Sequence, residues 1–277
     1  MSSVIANLII LRKRVSTWIL MGVWVLLGLT FAYLLPYLTL RGADSTTAQA
    51  TLTTLLPENL IGSVLGGFPV FGGVIALMLG VLAIGSDYGW DTLKTTLSQR
   101  SGRLRLLTSK ITAVGLGLFV YVLAIFATAA IASYTIATLE GATASWPSAL
   151  DLLQAFGAGW FLLVIWAFIG LGLAVLSRGT ALAIGLGVLY ALLIESLLTA
   201  LAGQVSWLEG LVEYSLRANA YSIVTALGVP ATSLADNGPG SFSGPFVDTG
   251  QAFLVLCVYA GVFFLFSTTT FLRRDIA

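Results

Sequence analysis

Residues 85–110 read GSDYGWDTLKTTLSQRSGRLRLLTSK, and an apolar run lies on either side of them. The stretch holds Lys94, Arg100, Arg103, Arg105 and Lys110 against only two acids, Asp87 and Asp91. It is too polar to lie in lipid. It is also too regular for a slack loop: Trp90, Leu93 and Leu97 recur at spacings of three and four, which puts them on one face of a helix. Ser86 or Asp87 is expected to cap that helix by accepting bonds from free backbone N–H groups, and Gly102 to end it. Asp91 and Lys94 fall off the apolar stripe. Arg103 and Arg105 are expected to anchor the start of the following run among phosphates. The predicted result is a short helix over 86–100 at a membrane face. Basic loops are common for topology alone, but topology does not require an ordered apolar stripe.

Working outward, the rest of the chain supplies the membrane segments. Of 277 residues, 58% are hydrophobic and 9% charged, where a soluble domain carries about 25% charge. Six apolar runs have the length, roughly 20 residues, that crosses a bilayer core as helix. They are read at 16–40, 60–84, 111–139, 152–176, 180–202 and 250–272. The expected fold is an all-α integral membrane protein with one transmembrane domain over 1–277. Trp18, Trp24, Tyr33 and Tyr37 suit the headgroup levels of the first run, and Pro36 is expected to kink its last turns. Gly62–Gly66 and Gly80–Gly85 in the second run are candidate close-contact patches. The brief break Ser177-Arg178-Gly179 forces its two helices to be antiparallel neighbours.

Two flanking regions are less regular. In residues 2–14, Val4, Leu8, Leu11 and Val15 share a helical face, with Asn7 and Arg14 read as lying away from it. This is either an interfacial helix or an extension of the first span. Residues 203–249 have helical spacing as far as Leu227 but too much polarity for a span, and a turn-rich second half. One or two short helices at the outer surface, partly re-entrant, or a plain external loop both fit.

Six spans put both termini on one side. That side then holds Arg12, Lys13, Arg14, Lys94, Arg100, Arg103, Arg105, Lys110, Arg178, Arg273 and Arg274, leaving only Arg41 and Arg217 for the other. The positive-inside rule makes the basic side cytoplasmic. The lone cysteine, Cys257, precludes an internal disulfide, and the lack of histidine removes His-based triads and the HExxH metal motif.

On Asp87, Gly89, Thr92, Leu93, Leu97, Ser98, Arg103 and Lys110 the chain resembles permease subunits of ABC-2-type ATP-binding cassette exporters. Their cytoplasmic pattern is often an acid, Gly-Thr-x-x-x-Leu-Leu-Ser, a Pro, an Arg and a Lys. The resemblance covers nearly the whole chain. It departs at Asp87, where Glu is usual, at Arg100, where Pro is common, and in lacking an early acid in the N-terminal helix. It implies six transmembrane helices of ABC-2 exporter type, with an N-terminal interfacial connecting helix (2–14), a cytoplasmic coupling helix (86–100) and short outer helices before the last span (within 203–249). It implies ATPase-coupling roles for Asp87, Tyr88, Trp90, Thr92, Leu93, Leu97, Arg100 and Arg103.

The implied partners are two copies of a cytoplasmic ABC ATPase, a second or related permease, membrane lipids and accessory extracytoplasmic subunits, with no nucleic acid. The chain is expected to be no enzyme by itself and to hold no cofactor or metal. ATP and Mg would sit on the ATPase, in keeping with the lack of a GxxxxGK[ST] loop here. The implied location is a bacterial or archaeal cytoplasmic membrane, and the implied cargo a lipid, amphipathic drug or peptide.

Glu195 lies within the fifth run, where a charge is costly unless paired or neutralised. It is read either as an intramembrane pathway residue or as a structural hydrogen-bond partner of Ser196, Thr199 or a neighbouring helix. An ion-coupled transporter would be expected to show several such groups or an inverted repeat, and an enzyme several convergent ones. A non-transporting scaffold that couples an ATPase to other work remains the second alternative.

Overall fold

The computed structural model describes residues 2–42, 45–89, 102–202, 204–231, 242 and 244–273. Among them there is helix and no strand. Six helices are long and apolar enough to cross a membrane: span 1 (Val15–Leu40), span 2 (Phe68–Tyr88), span 3 (Leu104–Leu139), span 4 (Ala149–Ser177), span 5 (Ala181–Ala202) and span 6 (Thr249–Arg273). The protein is an all-α, multi-pass membrane protein. Alternation through six spans brings residues 2 and 273 to one end, called here the terminal face.

Spans 2 and 4 form the centre, because glycine lets their backbones touch. A Cβ at Gly80 would lie 2.1 Å from the Ala167 carbonyl oxygen, and one at Gly170 would lie 2.1 Å from that of Leu77. Either methyl would force the helices apart. Gly73 likewise lies against the Trp166 indole. The expected patch at Gly80–Gly85 is thus a real contact, with Gly85 against Gly179 and Thr180. The patch at Gly62–Gly66 is different: Gly62 faces only Asn59 of its own turn, because the helix there, Leu60–Leu65, is interrupted before Phe68.

Span 4 is started by Ser148, whose hydroxyl oxygen accepts from the Asp151 N–H at 3.1 Å while its proton goes to Asp151 Oδ2 at 2.7 Å, a reciprocal cap. It ends at Arg178, in the left-handed region at φ 55°. The chain then turns directly into span 5.

Three spans contain a turn of π-helix: Thr30–Leu34 in span 1, Phe68–Gly72 in span 2 and Tyr190–Ile194 in span 5. Two of them are at prolines. Pro36 follows the first and Pro69 lies in the second. A proline has no N–H for the carbonyl one turn back and collides with it. Widening the turn relieves the collision, so the expected kink near Pro36 takes this form. The third π turn has no proline and delivers Glu195 at its end.

Span 3 begins earlier than its hydrophobicity indicates. The helix runs Arg103–Leu139, 37 residues, or about 55 Å at 1.5 Å per residue. That exceeds the hydrocarbon core of roughly 30 Å, so its first turns project beyond it. Gly102 is the residue preceding this helix. Among the described residues, the region before span 6 holds two short helices, Ser206–Val212 and Leu216–Ala226. The first exposes Trp207 and Leu211. The second is buried from Leu216 to Val224 and packs chiefly on span 6.

Candidate functional site

At the terminal face, three segments converge on the last turns of span 2. Its helix runs without a break through Gly89. Ser86 and Asp87 are therefore inside a helix rather than at a helix start, and neither is the expected N-cap. Ser86 Oγ donates to Leu82 O at 2.8 Å. Lys110 Nζ meets Asp87 Oδ2 at 2.7 Å and donates to Ala83 O at 2.7 Å. Arg14 Nη1 donates to Leu82 O at 2.6 Å. Cations suit the C-terminal turns of a helix, where carbonyl dipoles concentrate. Asp87 alone would be unfavourable there, and Lys110 compensates it. Burial lowers the Arg14 pKa from its ordinary value, and Asp87 works in the opposite direction. Lys110 is 9% exposed and inside the span 3 helix. The sequence marked it as the edge of a loop.

The N-terminal helix, Ser2–Lys13, joins this junction by an unexpected face. Asn7 Nδ2 donates to Ser109 Oγ of span 3 at 3.0 Å. Asn7 and Arg14, read as facing away from the packed side, thus face inward. Ile5, Ile9 and Ile10 point out, at 45%, 48% and 52% exposed, and so does Val15. Val4, Leu8 and Leu11 are half-buried as well, and Leu11 lies near Gly117 of span 3, so polar pairing and aliphatic packing together set the side this helix presents.

Beneath the charged groups lies a small apolar cluster of Ile84, Leu106, Leu107, Leu171, Val175 and Phe271. Tyr88 and Ile111 pack against it. The Tyr88 ring is thus a packing element between spans 2 and 3. Arg105 is exposed on the first turn of span 3, and Arg103 opens that helix. Trp90, Thr92, Leu93, Leu97 and Arg100, with the rest of the expected coupling helix over 90–100, lie outside the described residues. What is described is the flank of that segment: Asp87 in span 2 and Lys110, inside the span 3 helix, are joined by an ion pair.

The second polar centre is in the other half of the bundle. Glu195 is 2% exposed, after the π turn of span 5. Its Oε1 accepts from the Tyr190 hydroxyl at 2.9 Å and from the Arg217 backbone N–H at 3.3 Å. Ser215 caps the same helix start, accepting from Ala218 N–H at 3.2 Å. Glu195 therefore ties span 5 to the N-terminus of the Leu216–Ala226 helix, where free N–H groups favour an anion. Arg217, counted by sequence among outer-loop residues, is 3% exposed and donates to Ser196 Oγ at 2.6 Å. Its guanidinium stands 5.9 Å from the Tyr221 ring centre. Tyr190 and a neighbouring helix hold the Glu195 carboxylate by Oε1, Thr199 donates to its backbone carbonyl at 2.9 Å, and Oε2 is buried without a hydrogen-bond partner among the described residues. Arg14, Asn7, Tyr190 and Arg217 are the network members that sequence reasoning missed. Only the apolar-face mismatch of residues 2–14 hinted at the first two.

Among the described residues, no cluster of three or more His, Cys, Asp or Glu could hold a metal ion. Residues 30–277 match a family described as "Protein of unknown function (DUF2705)". No curated protein matches the chain.

Proposed function

We propose that this chain, which belongs to the DUF2705 family, is the membrane-spanning subunit of an ATP-driven transporter of ABC-2 type. In this reading it exports a lipid, amphipathic drug or peptide. A separate cytoplasmic ATPase, present in two copies, grips residues 86–100, and the terminal face is the cytoplasmic one. A second copy or a related permease completes the membrane part, in a bacterial or archaeal cytoplasmic membrane. ATP and Mg bind the ATPase, and this chain does no chemistry.

The observation that carries the reading is the Asp87–Lys110 ion pair. It ties span 2 to span 3 close to where the two lead into the basic, apolar-striped segment. A force on a segment with slack ends would be dissipated. A force on one with pinned ends moves the two spans together. Arg14 ties the N-terminal helix to the same turns of span 2, so three elements would respond as one.

The Trp90–Leu93–Leu97 stripe supplies the surface that a groove on the ATPase would receive. Trp90→Asp and Leu97→Asp test it. Each is expected to reduce co-purification of a nucleotide-hydrolysing partner at least tenfold and to abolish transport, with unchanged thermal unfolding of the membrane domain. Wild-type recruitment and transport in both variants would remove the proposal.

A further inference from the structure

We infer that a cavity among spans 1, 2 and 3 binds the acyl chain of a neutral lipid, with the lipid's uncharged head at a polar rim. The cavity holds about 520 Å³, within the range of small-molecule sites. Its inner wall is apolar, from Trp24, Val25, Leu29, Phe71 and Ile125. Its polar lining is Tyr33, Thr54, Asn59 and Ser63, which include residues outside the spans at the end away from the termini, and Thr128 of span 3, whose hydroxyl is spent on the carbonyls of Ala124 and Ile125. Ser63 Oγ and Asn59 Nδ2 both donate to Thr54 O, at 3.2 and 3.3 Å. That fixes the two side chains with a hydroxyl and a carboxamide oxygen able to accept from a ligand. Among the described residues no Asp, Glu, Lys or Arg lines the space, so a charged head there would lose its hydration without gaining a counter-ion.

The glycines provide a second, independent observation. In the centre of the bundle glycine closes gaps: a Cβ at Gly72, Gly73, Gly80 or Gly170 would collide with a neighbour. At the cavity wall the reverse holds. A Cβ at Gly28 or Gly67 would meet no heavy atom within 4 Å. Here the missing side chains hold space open rather than bringing helices together. An apolar space of this size forfeits dispersion contacts when empty, and apolar voids take up apolar ligands. Phe31 at the wall is 54% exposed in a membrane-crossing segment. In a bilayer that flank meets acyl chain wherever a second copy does not cover it.

A second cavity of about 360 Å³ between spans 3 and 4 lacks such a rim. Its Trp160 indole N–H is already donated to Gly115 O at 2.9 Å. It serves as an internal control for bulk lipid. The inference is independent of whether an ATPase grips residues 86–100.

The test uses the full chain in phosphatidylcholine nanodiscs and a monoacylglycerol with a diazirine in its acyl chain. Adducts are mapped by peptide mass spectrometry. Expected is saturable labelling within 24–33 and 59–71, removed by excess unlabelled monoacylglycerol. Gly28→Leu and Gly67→Leu, which fill the space, should each reduce it at least tenfold without lowering Tm. Gly22→Leu, the same change on an open face of span 1 outside the cavity, should leave it unchanged. Labelling that fails to saturate, or that follows the second cavity, overturns the inference. So does equal competition by an anionic lysophosphatidylglycerol, or a Phe31→Cys disulfide between two copies in the same nanodiscs. Should the filling variants not fold, saturation and competition on the natural protein decide alone.

Discussion

The two polar centres anchor helices by opposite charges, and the backbone explains why. At the terminal face, Arg14 and Lys110 reach the carbonyls of Leu82 and Ala83, near the C-terminal end of a helix. In the other half, Glu195 reaches the N–H of Arg217, at the N-terminal end of a helix. The anion meets a free amide of a helix's first turn, whereas the cations take the second lone pair of carbonyls already inside the helical ladder. The difference lies in what balances each. Lys110 has Asp87 as a direct ion-pair partner. The second carboxylate oxygen of Glu195 accepts no hydrogen bond among the described residues, so that centre leans more on amides, a phenol and Arg217 nearby.

Breaking the centres one at a time should expose this difference. Glu195→Ala is expected to have the largest effect, a loss of about 3 kcal/mol, because it leaves the buried Tyr190 hydroxyl and the Arg217 N–H without their acceptor. Glu195→Gln keeps an acceptor oxygen for Tyr190 and Arg217 N–H and should cost about 1–2 kcal/mol. Detergent-resistant unfolding of both variants checks the ordering. An alanine variant as stable as the natural protein would refute the anchoring role.

Lys110→Met and Asp87→Asn form a double-mutant cycle. A coupling of about 2 kcal/mol is expected, since each single change leaves a partly buried charge alone and the double change does not. Additive effects would show that the ion pair holds nothing. The smallest effect is expected from Asn7→Ala, about 1 kcal/mol. Its readout is faster amide exchange confined to residues 2–13, as the N-terminal helix loosens from Ser109. Exchange at wild-type rates would show that the aliphatic contacts alone hold that helix.

The same contrast explains what the sequence could disclose. Glu195 was conspicuous because an acid amid apolar residues has few explanations, yet Arg217, beside it in the structure, was placed in an outer loop. Its burial depends on a short helix packing inward on span 6, a tertiary event that local polarity does not encode. Lys110 and Arg14 were visible only as topology signals. A cation at a membrane edge serves sidedness by default, and nothing local marks the carbonyl it will reach. The six spans were legible because crossing a bilayer demands long apolar runs. Their π turns were half legible, through Pro36 and Pro69, and wholly hidden at Tyr190. The stripe through Trp90, Leu93 and Leu97 was read from spacing alone and lies outside the described residues, so the structure speaks only to its flank.

One small feature sets where span 5 is held. Arg178, in its left-handed turn, joins it to span 4 through Gly179 and Thr180, and these two lie directly on Gly85 of span 2. Further along, Gly187 lies against the Leu77 side chain of the same helix. The terminal half of span 5 is thus seamed to span 2, and its far half is moored instead to the Leu216–Ala226 helix through Glu195.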